Sequence, residues 1–252
     1  LSRPGDKNPG VFGLQGGEPP CCCIPSRTTC AAAACTRPVS FPATAARPFA
    51  GARSGVWTVC TTDLRPDSIV YSVGVGDNVA WDLAMIARFG VTIHAFDPTP
   101  ASVAWVARQA LPSQFHFRAV GLAARDGVAR FRAPRRPGGF NFTPATSDDE
   151  NAVAAPVRRL STLMAELGHA RIDVLKLDIE GSEYEVLADM LARESPVEQL
   201  LVEFHHNLPG IPFARTETAI RSLVGAGYRL FHVSERGLEL SFRREGIAAA
   251  CA

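Results

Sequence analysis

Residues 70–78, Val70-Tyr71-Ser72-Val73-Gly74-Val75-Gly76-Asp77-Asn78, decide how this chain folds. An apolar, β-branched run that begins at Ser68 and Ile69 stops at two glycines. Directly after them, Val79, Leu83 and Ile86 recur at helical spacing as far as Phe89, where Gly90 ends the pattern. Strand, glycine turn, helix is the opening unit of a parallel sheet whose ligand sits at the carboxyl ends of the strands. Glycine at that turn lets a ligand approach the backbone closely.

Downstream the alternation continues. Val91 to Phe96 predicts a second strand ending at Asp97-Pro98, and Ser102 to Ala110 a helix that Leu111-Pro112 breaks. Phe115 to Val120 reads as a third strand, and Asp126-Gly127 as a hairpin-like turn into Val128 to Phe131. Residues 134–150 read as an exposed loop, long for a passive connector. Then come a helix from Ser161 to Gly168, a strand from Asp173 to Leu177 and a helix from about Ser182 to Ala192. A strand from Gln199 to Phe204 and a helix from Thr216 to Gly225 follow. Tyr228 to Val233 and Leu238 to Phe242 close the chain as an antiparallel hairpin around Glu235-Arg236-Gly237. Strands alternating with helices predict an α/β fold, a parallel sheet covered by helices on both faces.

Upstream the character changes. Residues 1–55 carry six basic and two acidic residues, a net of +4, whereas 56–252 carry 20 and 23, a net of −3. The first stretch is rich in Cys, Pro, Ala and Arg and reads as a disordered or targeting tail before a single domain at 56–252. An organellar transit peptide and a plain tail on a cytoplasmic chain both fit. The chain begins with Leu1, as a fragment or a processed form would. Cys21, Cys22, Cys23, Cys30 and Cys35 lie in the tail, without the spacing of a zinc site. Cys60 and Cys251 flank the domain, which reads as a reduced-compartment body without a disulfide framework. The whole chain has 252 residues, 46% of them hydrophobic, and a net charge of +1. That composition excludes coiled coil and collagen and gives no case for nucleic acid as partner. No apolar run reaches the roughly 18 residues of a transmembrane segment.

The strand ends gather the chemistry. Asp97, 21 residues beyond Gly76, can accept hydrogen bonds from both hydroxyls of an adenosine ribose. The dinucleotide fingerprint needs glycine where Val79 stands, and Asp77 sets negative charge where a pyrophosphate would bind. Both disfavour a nicotinamide-dependent oxidoreductase. S-adenosylmethionine has no phosphate, and its sulfonium tolerates nearby acids. Asp178 and Glu180, with Gly181 between strand and helix, can orient a nucleophile, hold the cofactor's ammonium or bind a divalent cation. Helix capping by Ser182 and Glu183 is the plainer alternative. Glu203 and His205 share one side at the end of the next strand, and His205 is the preferred general base. His206 reads as an exposed loop residue, and His94, Trp81 and Trp105 as packing. Arg135-Arg136 reads as a solvated pair, and Phe140 and Phe142 as a cover for the acceptor.

Five stretches together resemble the FkbM-type methyltransferases, in the branch of methyltransferase-like proteins. They are VYSVGVGDNVAWDLAMIARFGVTIHAFDPTP (70–100), AVGLAARDG (119–127), RRLSTLMAEL (158–167), DVLKLDIEGSEYEVL (173–187) and LLVEFHH (200–206). The resemblance covers about residues 56–243. It implies a class I methyltransferase fold with a seven-stranded, mostly parallel sheet whose last strand is antiparallel. It also implies S-adenosylmethionine as cofactor and methylation of a hydroxyl, on a sugar or small-molecule acceptor. Gly74 and Gly76 match the first cofactor motif, Asp97 the ribose acid, Gly121 the strand exit beside adenine, and Asp178, Glu180 and Gly181 the fourth motif. Ser72 and Asn78 depart from the family's acid and glycine at those places, which leaves Asp77, Asn78 or Asp82 to meet the methionine end. A silent binding module that kept the fold is the rival from another class.

Overall fold

The glycine turn joins an inner strand of a seven-stranded sheet to the first helix packed against it. The computed structural model describes residues 38–42, 56–134, 139–145, 149–150 and 152–245, all within the second of two units, 32–252. Strands β1 (Pro38–Pro42) and β2 (Val56–Cys60) pair antiparallel. β3 (Ile69–Val73) leads into α1 (Ala80–Phe89), and β4 (Thr92–Phe96) into α2 (Pro100–Val106). β5 (Phe115–Arg118), β6 (Gly121–Leu122), β7 (Gly127–Arg132), β8 (Thr143–Pro144) and β9 (Ala152–Arg158) follow. Then come α3 (Leu160–Leu167), β10 (Ile172–Leu177), α4 (Glu183–Ala192), β11 (Val197–Glu203) and α5 (Phe213–Gly225). β12 (Tyr228–Val233) and β13 (Glu239–Arg244) close the chain's described part.

The large sheet runs β12-β13-β11-β10-β3-β4-β5, and β13 alone opposes its neighbours. The chain therefore builds outward from β3 in one direction and from β10 in the other. Between those two strands lies the switch point, where crossovers diverge and a crevice opens at the carboxyl ends. Apolar side chains fill both faces, which is why the inner strands read as near-continuous apolar runs. Tyr71, Val73, Phe96, Leu175 and Leu177 pack with α3 and α4 on one face. Val70, Ile93, Val174 and Leu201 pack with Met85 of α1 and Trp57 of β2 on the other. Leu175 and Leu177 are fully buried, and truncating either to alanine removes about 2–5 kcal/mol.

Four expectations change. Strand β1 lies inside the stretch read as an unstructured tail, because the edge of β2 offers its backbone a partner. Cys60 is disulfide-bonded, so the body is not the disulfide-free domain expected; the other six cysteines, the tail cluster included, lie outside the described residues. Asp126-Gly127 does not fold β7 back onto β5. β7 pairs with β9 and β8 in a separate four-stranded sheet with β6. The Asp126 carboxylate instead accepts the Arg159 N–H at 2.9 Å and the Thr162 hydroxyl at 3.1 Å, fixing the start of α3. The stretch after the long loop, Ala-Val-Ala-Ala-Pro-Val-Arg, is too poor in strand formers to be read as β9, and Pro156 argues against it. Its partner β7 supplies the ladder. Among the described residues no helix is long and apolar enough to cross a membrane.

Candidate active site

At the switch point the glycine turn of β3 touches the end of β10. A Cβ on Gly74 would lie 1.7 Å from the carbonyl oxygen of Asp178, and Gly74 has φ +87°. Only glycine fits there. Gly76 also has a positive φ, +56°. The turn is held from β4. Asp97 Oδ2 accepts the N–H groups of Val75 and Gly76, each at 3.0 Å. Its Oδ1 accepts the Thr99 N–H at 2.9 Å and the Thr99 hydroxyl at 2.6 Å. With four donors on one buried carboxylate, Asp97 clamps the turn.

The neighbouring predicted residues separate by depth. Asp77 and Asn78 are exposed at the mouth of α1, and Asn78 Oδ1 accepts the Ala80 N–H at 2.9 Å. Asp82 is buried beneath the turn, where desolvation raises its carboxyl against the pull of Lys176 and Ser72. Lys176 lies 4.8 Å over the Trp57 ring, with Nζ 3.5 Å from the Gly74 carbonyl. Gly121 packs edge-on: a Cβ there would stand 2.9 Å from Pro98 and 3.2 Å from Val157.

On the other side of Gly74, acids converge on one imidazole. His205 is 5% exposed. Its Nε2 lies 3.7 Å from Asp178 Oδ1 and 3.6 Å from Glu180 Oε2, and its Nδ1 lies 3.4 Å from Glu183 Oε2. Asp178, Glu203 and His205 each bring one ligating atom within 4.8 Å of the others. Glu180 sits at φ +50°, a strained setting for a side-chain-bearing residue. Burial disfavours a charged imidazole, but the Glu183 carboxylate beside it, with Glu180 and Asp178, outweighs that and raises His205 to about 9. Burial, then the Asp178 charge, pushes Glu203 up to about 7. Burial also raises Glu180, with His205 opposing and Asp178 adding.

Three contributors escaped the sequence reading. Glu183 is fully buried; its Oε1 accepts the His205 N–H at 2.8 Å and its Oε2 the Gly181 N–H at 2.9 Å. An acid in the first turn of a helix explains itself locally, so nothing marked it out. Arg236, from the closing hairpin, lies 3.2 Å from both Glu203 and Glu239. Asn141 reaches from the long loop to donate to Glu180 at 2.5 Å, and Phe140 Cβ stands 3.7 Å from the Cβ position of Gly76. Phe140 therefore covers the glycine turn. Phe142 is half-buried, and Arg135-Arg136 lie outside the described residues. His206 is not a free loop residue: Nδ1 lies 3.1 Å from Thr216 Oγ1 and its ring meets Phe213 edge-on. A cavity of ≈ 380 Å³ between α4 and α5, lined by Tyr184, Leu187, Arg215 and Ser222 among others, contains none of the predicted site residues.

Sheet order, the lone antiparallel strand and the two-sided site define a Rossmann-like methyltransferase fold of class I. The family model of the methyltransferase FkbM domain matches residues 51–230, and the chain belongs to that family of methyltransferases. It is 27% identical over 195 residues to the probable methyltransferase-like protein 24 of Rattus norvegicus, covering 70% of this chain and 48% of that one. It is 29% identical over 175 residues to the 31-O-demethyl-FK506 methyltransferase FkbM of Streptomyces tacrolimicus, covering 57% of this chain and 67% of that one. The chain spans about half the length of the methyltransferase-like relatives it matches. Among solved structures, methyltransferase FkbM from Methylobacillus flagellatus aligns at 13% identity with a TM-score of 0.45, over 71% of this chain and 44% of that one. Aeropyrum pernix fibrillarin with bound S-adenosyl-L-methionine aligns at 12% and 0.40, over 71% and 66%.

Proposed function

We propose that the protein transfers the methyl group of S-adenosylmethionine to a hydroxyl oxygen of a small-molecule or glycan acceptor. The observation that carries this reading is the contact of Gly74 with the Asp178 carbonyl. It joins the glycine turn to the acid–histidine cluster, so a cofactor lying over the turn points its reactive end at that cluster. The relative named for 31-O-demethyl-FK506 supports oxygen as the acceptor atom.

In this reading Gly74 and Gly76 admit the cofactor, Asp97 and Gly121 hold the surfaces it lies on, and Asp77 and Asn78 border its methionine end. Asp178, Glu180, Glu203 and His205 form the acceptor end. The hydroxyl oxygen bonds to the methyl carbon as the carbon–sulfur bond breaks and its electron pair goes to sulfur, and the hydroxyl proton passes by way of the cluster to water. Alignment of the two reactants is the larger part of such catalysis. The acids near the sulfonium favour binding of the positively charged cofactor.

Calorimetric titration of the whole chain with S-adenosylhomocysteine, with NAD and NADP in parallel, tests the cofactor. Micromolar binding of the first alone is expected. Binding of a nicotinamide cofactor, or of none of the three, would overturn the reading.

A further inference from the structure

The acid–histidine cluster concentrates more negative charge than its surroundings neutralise. Asp178, Glu180 and Glu183 all lie 3.4–3.7 Å from one imidazole, and Glu203 completes the group. Arg236, beside Glu203, is equally close to Glu239.

The second observation is the imidazole itself. His205 is 5% exposed, and among the described residues its Nε2 has no hydrogen bond; the nearest carboxylate oxygens are 3.6 and 3.7 Å away. Glu183 stands behind Nδ1 and also holds the His205 backbone N–H. Nδ1 is buried and has no hydrogen-bond partner among the described residues, so neither ring nitrogen of this buried imidazole is satisfied within the fold, and Nε2 is the one that faces Asp178 and Glu180. A proton shared between Nε2 and a carboxylate would draw them to about 2.7–2.9 Å. Ligand atoms about 2.1 Å from one ion stand roughly 3.0–4.2 Å apart; the His205–Asp178 pair lies in that range at 3.7 Å, and Glu203 brings an oxygen within 4.8 Å of both.

We infer that Asp178, Glu203 and His205 Nε2 bind one divalent first-row cation, of the Mn²⁺ or Zn²⁺ kind, at the acceptor end of the site. One nitrogen and two carboxylates favour such an ion over Ca²⁺ or Mg²⁺, which take oxygen. Its use rests on the methyl-transfer reading. Held there, the cation would polarise the acceptor hydroxyl and make its proton easier to lose, the proton passing by way of the cluster to water. The oxygen then bonds to the methyl carbon, the carbon–sulfur electron pair goes to sulfur, and the sulfonium becomes a neutral thioether.

Titration of the full chain with Mn²⁺, followed by the loss of the free-ion electron paramagnetic resonance signal, tests the site. One ion per chain is expected, with affinity falling more than about tenfold in His205→Ala and in the near-isosteric Glu203→Gln. Arg171→Ala, exposed at the start of β10 and at the opposite end of that strand from Asp178, is expected to bind Mn²⁺ like the wild type. Circular dichroism confirms that each variant is folded. S-adenosylhomocysteine titrated on the same samples separates the two claims. If it binds while Mn²⁺ does not, or while the variants bind Mn²⁺ unchanged, the cation site is wrong and the methyl-transfer reading stands. If Mn²⁺ binds at the predicted residues while S-adenosylhomocysteine does not, the cation site stands and the methyl-transfer reading falls.

Discussion

The two ends of the site handle polar groups in opposite ways. At the glycine turn, Asp97 meets four donors and the backbone is locked. At the acid–histidine cluster, carboxylates crowd one imidazole at 3.4–3.7 Å, and Glu180 sits at a strained φ of +50°. A surface that only has to receive a cofactor is best rigid and satisfied. A surface that handles a proton and a charge has to keep its charged groups poised, at a cost in stability.

The contrast predicts where substitutions hurt, and how. Gly74→Ala has the largest effect, because its Cβ would overlap the Asp178 carbonyl that joins the two ends. The melting temperature should fall by ~10 °C or more in a thermal scan; a fall of a degree or two would mean that the ends are not in contact. Next is Asp97→Ala, which leaves the amides of Val75 and Gly76 without their acceptor. Affinity for S-adenosylhomocysteine should drop by more than about tenfold by calorimetry. Glu183→Gln touches only the cluster: the fold should persist by circular dichroism while Mn²⁺ affinity falls about 10–100-fold. Unchanged Mn²⁺ affinity would remove Glu183 as the group that orients His205. Asn141→Ala frees the loop from Glu180. Backbone amides at 139–145 should exchange with solvent roughly tenfold faster, the loss of about one hydrogen bond. Equal exchange rates would show that this bond does not hold the loop.

The smallest effect lies away from both ends. His94 stacks on His116 and meets His169 edge-on, and burial, with the charges of His169 and His116, lowers it to about 4. The fold therefore favours neutral His94. That contribution is complete above about pH 6.5 and is lost as the pH falls toward 4, where the unfolded chain binds a proton that the folded chain resists. Thermal scans between pH 7 and 4 should show declining stability with a shallower decline in His94→Asn; identical slopes would remove His94 from the account.

Much of this was legible beforehand. The central strands and helices fall where the apolar runs and the glycines place them, because a strand buried on both faces leaves an unbroken signal. Asp178, Glu180, Glu203 and His205 converge because all lie at strand ends, and strand ends on one edge of a parallel sheet must meet. The rest depended on partners distant in sequence. β9 exists through pairing with β7, and β1 through β2. That Asp97 also holds the amides of Val75, Gly76 and Thr99 is set by partners that no spacing rule reveals. Glu183 and Asn141 looked like an ordinary helix acid and an ordinary loop amide until His205 and Glu180 stood beside them.

The most direct test of the two-ended site is S-adenosylhomocysteine affinity in wild type, Asp97→Ala and His205→Ala, measured side by side by calorimetry. The account predicts micromolar binding by the wild type, a loss of more than about tenfold in Asp97→Ala, and a change within about threefold in His205→Ala. Wild-type affinity in Asp97→Ala, or loss of binding in His205→Ala, would contradict it.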